Sequence, residues 1–245
     1  MNPGTEHQRG AGTSESGGRE LRLAGVLMVG GFLINAVSTV FHPAGAEDDH
    51  EVIFAQYAES APWVAVHLGQ FVGVLLALGG LLVLYRAMRA TGQAPLLPYL
   101  AATAAVATAA VWAVLQGLDG VGLKQAVKAW DSASGTEEAM RFAGAEIVRW
   151  LEWGIQSYFR VLLGVTFMLF GTAVLTSHLV AGWLGWAAVL AGLFSVAIGV
   201  DVGYNGLASA LQDALDMVFL VVIFVFAFGV FATGMRDRRR HAART

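Results

Sequence analysis

The chain has no cysteine. That excludes disulfides, thiolate nucleophiles, cysteine-ligated zinc and iron–sulfur clusters. Charge is sparse too: Asp, Glu, Lys and Arg make up 13% of 245 residues, against roughly 25% in a soluble domain. A chain of this size with so few charges cannot clothe a water-facing surface. There are five prolines, and only Pro98 falls inside a long apolar run, near its start, where a helix tolerates it. No G-x-S-x-G elbow, Walker A loop, dinucleotide fingerprint or H-E-x-x-H pair occurs. The net charge of −3 and the lack of a basic domain exclude a nucleic-acid binder.

What is present is apolar. Hydrophobic residues are 56% of the chain, and the mean hydropathy is +0.62. Six runs, at about 23–41, 63–85, 96–118, 153–176, 179–200 and 214–235, have the length that a bilayer asks of a helix, about 20 residues. The expected fold is an all-α integral-membrane bundle of six transmembrane helices over 23–235. A disordered tail is expected over 1–22, where Gly, Ser, Thr and Glu dominate, and a basic tail over 236–245. The stretch Ala44–Gly45–Ala46 resembles a cleavage site, but the run before it is too long for a signal peptide, so an uncleaved first helix is expected.

Basic residues orient the bundle. With both termini cytoplasmic, ten of the fifteen lie inside: Arg9, Arg19, Arg22, Arg86, Arg89 and the five after the last span. Fourteen of the eighteen acids then lie outside or near the outer ends, including the run Glu47, Asp48, Asp49, Glu51. The expected location is a cell membrane, the bacterial plasma membrane. The expected partners are lipids, with Arg238, Arg239 and Arg240 against anionic headgroups. A protein partner or a second copy of the chain is left open.

Two outer segments are long. The second, from Asp119 to about Glu152, contains an amphipathic stretch with Val121, Val127 and Trp130 apolar and Lys124 and Lys128 on a polar side. Ser132–Ala133–Ser134–Gly135 breaks it, and a new helix starts at Thr136 with Glu137 and Glu138 in its first turn. No breaker follows before about 176, so the fourth span is expected to project beyond the membrane. Small residues at Ala101, Ala105, Ala109, Ala113 and Gly117 suggest that the third span is the centre of the bundle. Gly69, Gly73, Gly182, Gly185 and Gly192 suggest close packing elsewhere.

Polar groups at membrane depth are costly and mark candidate sites. Here they gather in the outer half: Asn35 and His42 around the first span's end, His67 and Gln70 on one face of the second, and Gln116 and Asp119 at the end of the third. Glu152, Gln156 and Arg160 form a stripe on the fourth, and Asp201 ends the fifth. These ten residues are a candidate polar pocket. Arg160 needs an acidic partner, with Glu152, Asp119, Asp201 and Asp216 in plausible range. A metal held by His42, His50, His67 and Glu59 or Asp48 is conceivable, but no ligand spacing signals one, so no metal, cofactor or catalytic residue is assigned.

The stretches FHPAG, YAESAPWVAVHLGQFVGVLLALGGLLVLYR, LDGVGLKQAVKAW and EIVRWLEWGIQSYFRVLLGVTFMLFG resemble an uncharacterised family of bacterial multi-pass integral membrane proteins, over about 23–235. Thirteen Arg to two Lys, with heavy Ala, Gly and Val use, resembles a high-GC actinobacterial source. The resemblance implies a membrane bundle and carries no catalytic residue onto the chain. Three functions fit the residues. A non-catalytic membrane component that binds a partner comes first. A small transporter with an outer-facing pocket is second. An integral-membrane enzyme acting on a lipid-like substrate is third, with His67 moving protons and Arg160 holding a headgroup.

Overall fold

The computed structural model describes residues 3–45, 47, 49–90 and 96–242, with side chains from 17 to 236 within those limits and at 238. Ala46, Asp48, and the ends of both expected tails at 1–2 and 243–245 lie outside the described residues. The α-helices are α1 (Pro3–Val40), α2 (His50–Glu59), α3 (Trp63–Arg89), α4 (Leu96–Gly117), α5 (Lys124–Asp131), α6 (Thr136–Ser177), α7 (Gly182–Asn205) and α8 (Ala210–Ala242). A π-helical segment, Leu118–Leu123, joins α4 to α5 without a break.

Six of these stretches are long and apolar enough to span a membrane: Gly17–Val40, Trp63–Arg89, Leu96–Asp131, Thr136–Ser177, Gly182–Asn205 and Ala210–Arg236. The protein is an all-helical, six-span membrane bundle. Its flanks expose Leu33, Val37, Leu68, Val106, Leu193 and Val225, a belt that only hydrocarbon solvates well. Arg22 donates from Nη1 to the Gly234 carbonyl at 3.1 Å, so the first and last spans start and finish at the same end. The opposite end, called the loop end below, carries α2, α5 and the first turns of α6.

The helix boundaries differ from the expected tails. α1 runs back to Pro3, where the sequence predicts disorder over 1–22. Leu21 and Ala24 are fully buried, so this helix is already nucleated by packing, and extending it adds one hydrogen bond per residue fixed. For the same reason α8 continues into the basic tail as far as Ala242. α6 has 42 residues, about 63 Å at 1.5 Å per residue, twice the thickness of a hydrocarbon core. It therefore projects from the loop end, as its unbroken sequence predicts. Gly135, at φ 62°, makes the turn ahead of it in a region that glycine occupies without strain.

The centre of the bundle is α6, not the third span. Phe167, Phe170 and Ala173 of α6 pack with Ala188 and Ala191 of α7 and Phe226 of α8 in the main core. Glycines set the spacing: a Cβ on Gly164 would lie 2.5 Å from the Gly192 carbonyl oxygen. In α4 only the first part of the alanine stripe is buried: Ala101 and Ala105 face inward, while Ala113 and Gly117 are exposed. At 3.6 residues per turn, each step of four residues rotates the face by about 40°. Five such positions sweep too far round the helix to meet one neighbour.

The loop end has its own small core of Ile53, Phe54, Tyr57, Leu123, Val127 and Ala145. The segment between the first two spans thus contains a helix, α2, packed over α5. Asp49 caps the start of α2 by accepting from the Val52 amide at 3.3 Å. Lys124 holds its far end. It is buried, against the polar position that the amphipathic pattern predicts. Its Nζ donates to the carbonyls of Tyr57, Ala58 (3.0 Å) and Ser60 (2.8 Å). Those carbonyls have no partner within the helix, and a cation suits that end of the dipole.

Candidate functional site

The π-helical segment positions the site. Leu118–Leu123 follows Gly117 in the sequence GLDGVGL, and the widened turn sets Asp119 against α3. Gly120 makes the approach feasible: a Cβ there would lie 2.6 Å from the His67 Cβ. Asp119 accepts the Trp63 indole Nε1–H at its carbonyl, at 3.3 Å. Its carboxylate Oδ2 lies 2.9 Å from His67 Nε2. The other carboxylate oxygen, Oδ1, is buried and has no hydrogen-bond partner.

His67 is buried in the first turns of α3, and its Nδ1 lies 2.8 Å from the Trp63 carbonyl. His42, just past α1, places Nδ1 2.8 Å from the Pro43 carbonyl. A carbonyl only accepts, so each ring donates Nδ1–H; His42 Nε2 is left as an acceptor, while His67 Nε2, 2.9 Å from a carboxylate oxygen, donates to Asp119 as part of an ion pair. The two rings are 5.2 Å apart, and each packs on Trp63. Ligand atoms from His42, His67 and Asp119 all lie within 4.8 Å of one another. Burial holds the His42 imidazole below its ordinary pKa, with His67 beside it acting in the same direction and Asp119 and Glu47 opposing. It is thus kept neutral.

A charged network roofs this cluster. Arg149, buried on α6, donates from Nη1 to Glu152 at 2.7 Å and from Nη2 to Glu47. Tyr57 donates its hydroxyl to Glu47 at 2.9 Å, and its ring stacks on Trp63 at 4.3 Å. Burial raises the Tyr57 phenol well above its ordinary pKa, with Glu47 adding to the rise, so it stays a donor. Of this network only Glu152 is among the ten candidates from sequence. Arg149 and Glu152 are three apart, the spacing of a helical ion pair, and that was the one signal available for Arg149. Nothing local marks Glu47 and Tyr57, which come from the folding of α2 over the bundle.

The ten candidates divide into separate groups. His42, His67 and Asp119 converge as described. Gln116 is buried one turn before Asp119, with Oε1 unpartnered. It lines a groove between α3 and α4 with His67, Leu68, Phe71 and Val121. Asn35, Gln70, Gln156 and Arg160 face a different space, an intramembrane cavity of about 240 Å³. Arg160 pairs with Asp216 at 2.8 Å. Glu152 is taken up by Arg149. Asp201 joins neither space: it accepts from Asn205 at 2.6 Å and Gln212 at 2.9 Å, where α7 turns into α8. Of the other conceivable metal ligands, His50 bonds Glu146 at 2.9 Å instead, Glu59 is exposed at the end of α2, and Asp48 lies outside the described residues.

The His42, His67 and Asp119 atoms suit a metal. Once the proton between His67 and Asp119 is displaced, two imidazoles and a carboxylate are a donor set for zinc and for other first-row divalent ions. Both histidines carry the backbone hydrogen bond that fixes the tautomer of a metal ligand. The orphaned Asp119 Oδ1 leaves acceptor capacity in the same place. No family model, curated protein or solved structure matches the chain.

Proposed function

We propose that this protein is a metal-dependent integral-membrane hydrolase that acts on a lipid-like ester or amide at the loop end of the bundle. One observation carries the reading. Three groups able to ligate a metal, the His42 and His67 imidazoles and the Asp119 carboxylate, bring their ligand atoms within 4.8 Å of one another in a partly buried place. A proton between His67 and Asp119 already joins two of them, and a divalent ion that displaced it would be within reach of all three. Three protein ligands leave a fourth position for water, the pattern of catalytic rather than structural zinc sites. Bound there, the metal would lower the pKa of that water toward neutrality.

The chain's own groups supply the rest. His42, His67 and Asp119 hold the ion, while Trp63 and Tyr57 wall it on one side. The groove lined by Leu68, Phe71, Gln116 and Val121 reaches His67 from the flank between α3 and α4, and this favours a substrate that arrives through the bilayer. In the hydrolysis, the water oxygen bonds to the acyl carbon and the bond to the alcohol or amine breaks. One water proton ends on that leaving group and the other on the released acid. A purely partner-binding component, which composition favours, has no use for such a cluster. In this reading the termini are cytoplasmic and the metal lies at the outer face of a bacterial plasma membrane. The basic C-terminal tail lies near anionic headgroups.

The test is metal content followed by activity. Full-length protein in nanodiscs, dialysed against zinc and then buffer, is expected to retain about one zinc per chain. His67→Ala and Asp119→Ala are expected to retain none. Zinc-loaded protein is then incubated with vesicles of mixed acyl lipids, and released fatty acid is read by mass spectrometry. Zinc retention that is indifferent to both substitutions would overturn the metal centre. A stoichiometric, His67-dependent zinc with no release over the chelated protein would overturn the hydrolase.

A further inference from the structure

The intramembrane cavity is separate from the metal cluster: neither His42, His67 nor Asp119 lines it. Its lining is ordered along the membrane normal. Asn35, Thr39, Gln70, Gln156 and Arg160 sit toward the loop end, and Leu78, Leu81, Phe167 and Ile223 lie deeper. Gln70 and Leu81 are three turns apart on α3, about 16 Å along its axis, and Gln156 and Phe167 are equally far apart on α6. A volume of about 240 Å³ spread over that length leaves a slot with the width of one hydrocarbon chain.

The polar end is incompletely satisfied. Arg160 uses Nη2 on Asp216, at 2.8 and 3.0 Å from the two carboxylate oxygens, and its guanidinium lies 5.8 Å over the Phe219 ring. Its Nε–H is buried and has no partner. A buried donor of this kind is costly unless an acceptor meets it. Because Asp216 already balances the charge, the acceptor that fits is a single oxygen, such as a carbonyl. Gln70 donates to Thr39 at 3.1 Å and closes the slot on the α1–α3 side. Asn35 and Gln156 add amides at the same level.

We propose that this slot binds one acyl chain, with the carbonyl oxygen at its head accepting the Arg160 Nε–H and the tail running inward toward Leu81 and Phe167. A free fatty acid and a monoacyl ester both offer that chemistry. The proposal does not depend on the metal centre, and its variants are chosen to leave zinc retention unchanged.

The probes are oleic acid and monoolein, each carrying a diazirine near the chain terminus, incorporated with the full-length protein in nanodiscs. After photolysis, labelled peptides are mapped by mass spectrometry. Saturable labelling at Leu78, Leu81 or Phe167 is expected, competed by the unlabelled parent compound; labelling by one probe and not the other identifies the head. Val74→Trp fills the slot without touching the Arg160–Asp216 pair and is expected to cut labelling at least tenfold. Arg160→Lys keeps the positive charge beside Asp216 but removes Nε–H. It is expected to weaken binding about tenfold, the order of one buried hydrogen bond. Should Arg160→Lys fail to fold, Gln156→Leu is read in its place. Labelling spread evenly over lipid-facing residues, or unchanged by Val74→Trp, overturns the proposal.

Discussion

Gly120 offers a sharp test of the proposed metal centre, because it lets two of the proposed ligands approach without itself being one. A Cβ at position 120 would lie 2.6 Å from the Cβ and 2.9 Å from the Cγ of His67. Ordinary carbon contacts are about 3.5–4.0 Å, so in Gly120→Ala the π-helical segment and α3 must part by about 1 Å. Neither side yields easily. His67 is held by Trp63 through its Nδ1, and Asp119 by the Trp63 indole. The 2.9 Å approach between His67 Nε2 and Asp119 is then lost, and zinc affinity is expected to fall by about 10–100-fold, the range for a disturbed outer shell. The overpacking itself is expected to cost about 1–3 kcal/mol. Gly122→Ala is the control within the same motif, since a Cβ there meets its nearest atom at an unstrained 3.7 Å. Competition titration with a zinc indicator reads the affinity, and thermal unfolding reads the stability. Wild-type zinc affinity in Gly120→Ala, or equal losses in the two variants, would refute the geometry on which the metal centre rests.

Other predictions follow from buried groups with counted partners. Arg149→Met strands Glu47 and Glu152 without their cation and is expected to cost about 3–5 kcal/mol, read by thermal unfolding. Adding Glu152→Gln to it is expected to recover part of the loss by removing a buried charge. Lys124→Met leaves the final carbonyls of α2 unsatisfied, at about 1–3 kcal/mol, with faster amide exchange confined to His50–Glu59. Gly192→Leu is expected to separate α6 from α7, because a Cβ there already lies 2.5 Å from the Gly164 carbonyl oxygen, and to abolish folded yield. Gly144→Ala, with open space around it, is expected to raise stability by up to about 1 kcal/mol.

The spans were legible because a bilayer imposes one simple requirement, a long apolar run with its own hydrogen bonds satisfied. The start of α6 was legible for a local reason as well: Gly135 and the acids after it are chain-terminating and chain-starting chemistry. Packing was less so. The alanines of α4 suggested a central helix only because a spacing of four was read as a constant face, whereas the 3.6-residue turn carries Ala113 and Gly117 out to the surface.

The chemistry was the least legible part, and the reason is geometric. Polar residues at membrane depth were visible as an outer-half cluster, yet sequence has no means of dividing such a cluster by angle around the bundle. Arg160 and Gln156 share a helix stripe with Glu152, but Glu152 faces the loop-end network while the other two face the intramembrane cavity. His42, His67 and Asp119 come from three separate elements, so no spacing motif links them. Their convergence depends on a π turn that costs α4 its regular hydrogen-bond register. Such insertions recur at functional sites because they re-aim one side chain without ending the helix. Here the re-aimed group is the one carboxylate among the three proposed ligands, and the glycine that follows it lets the segment approach His67 closely.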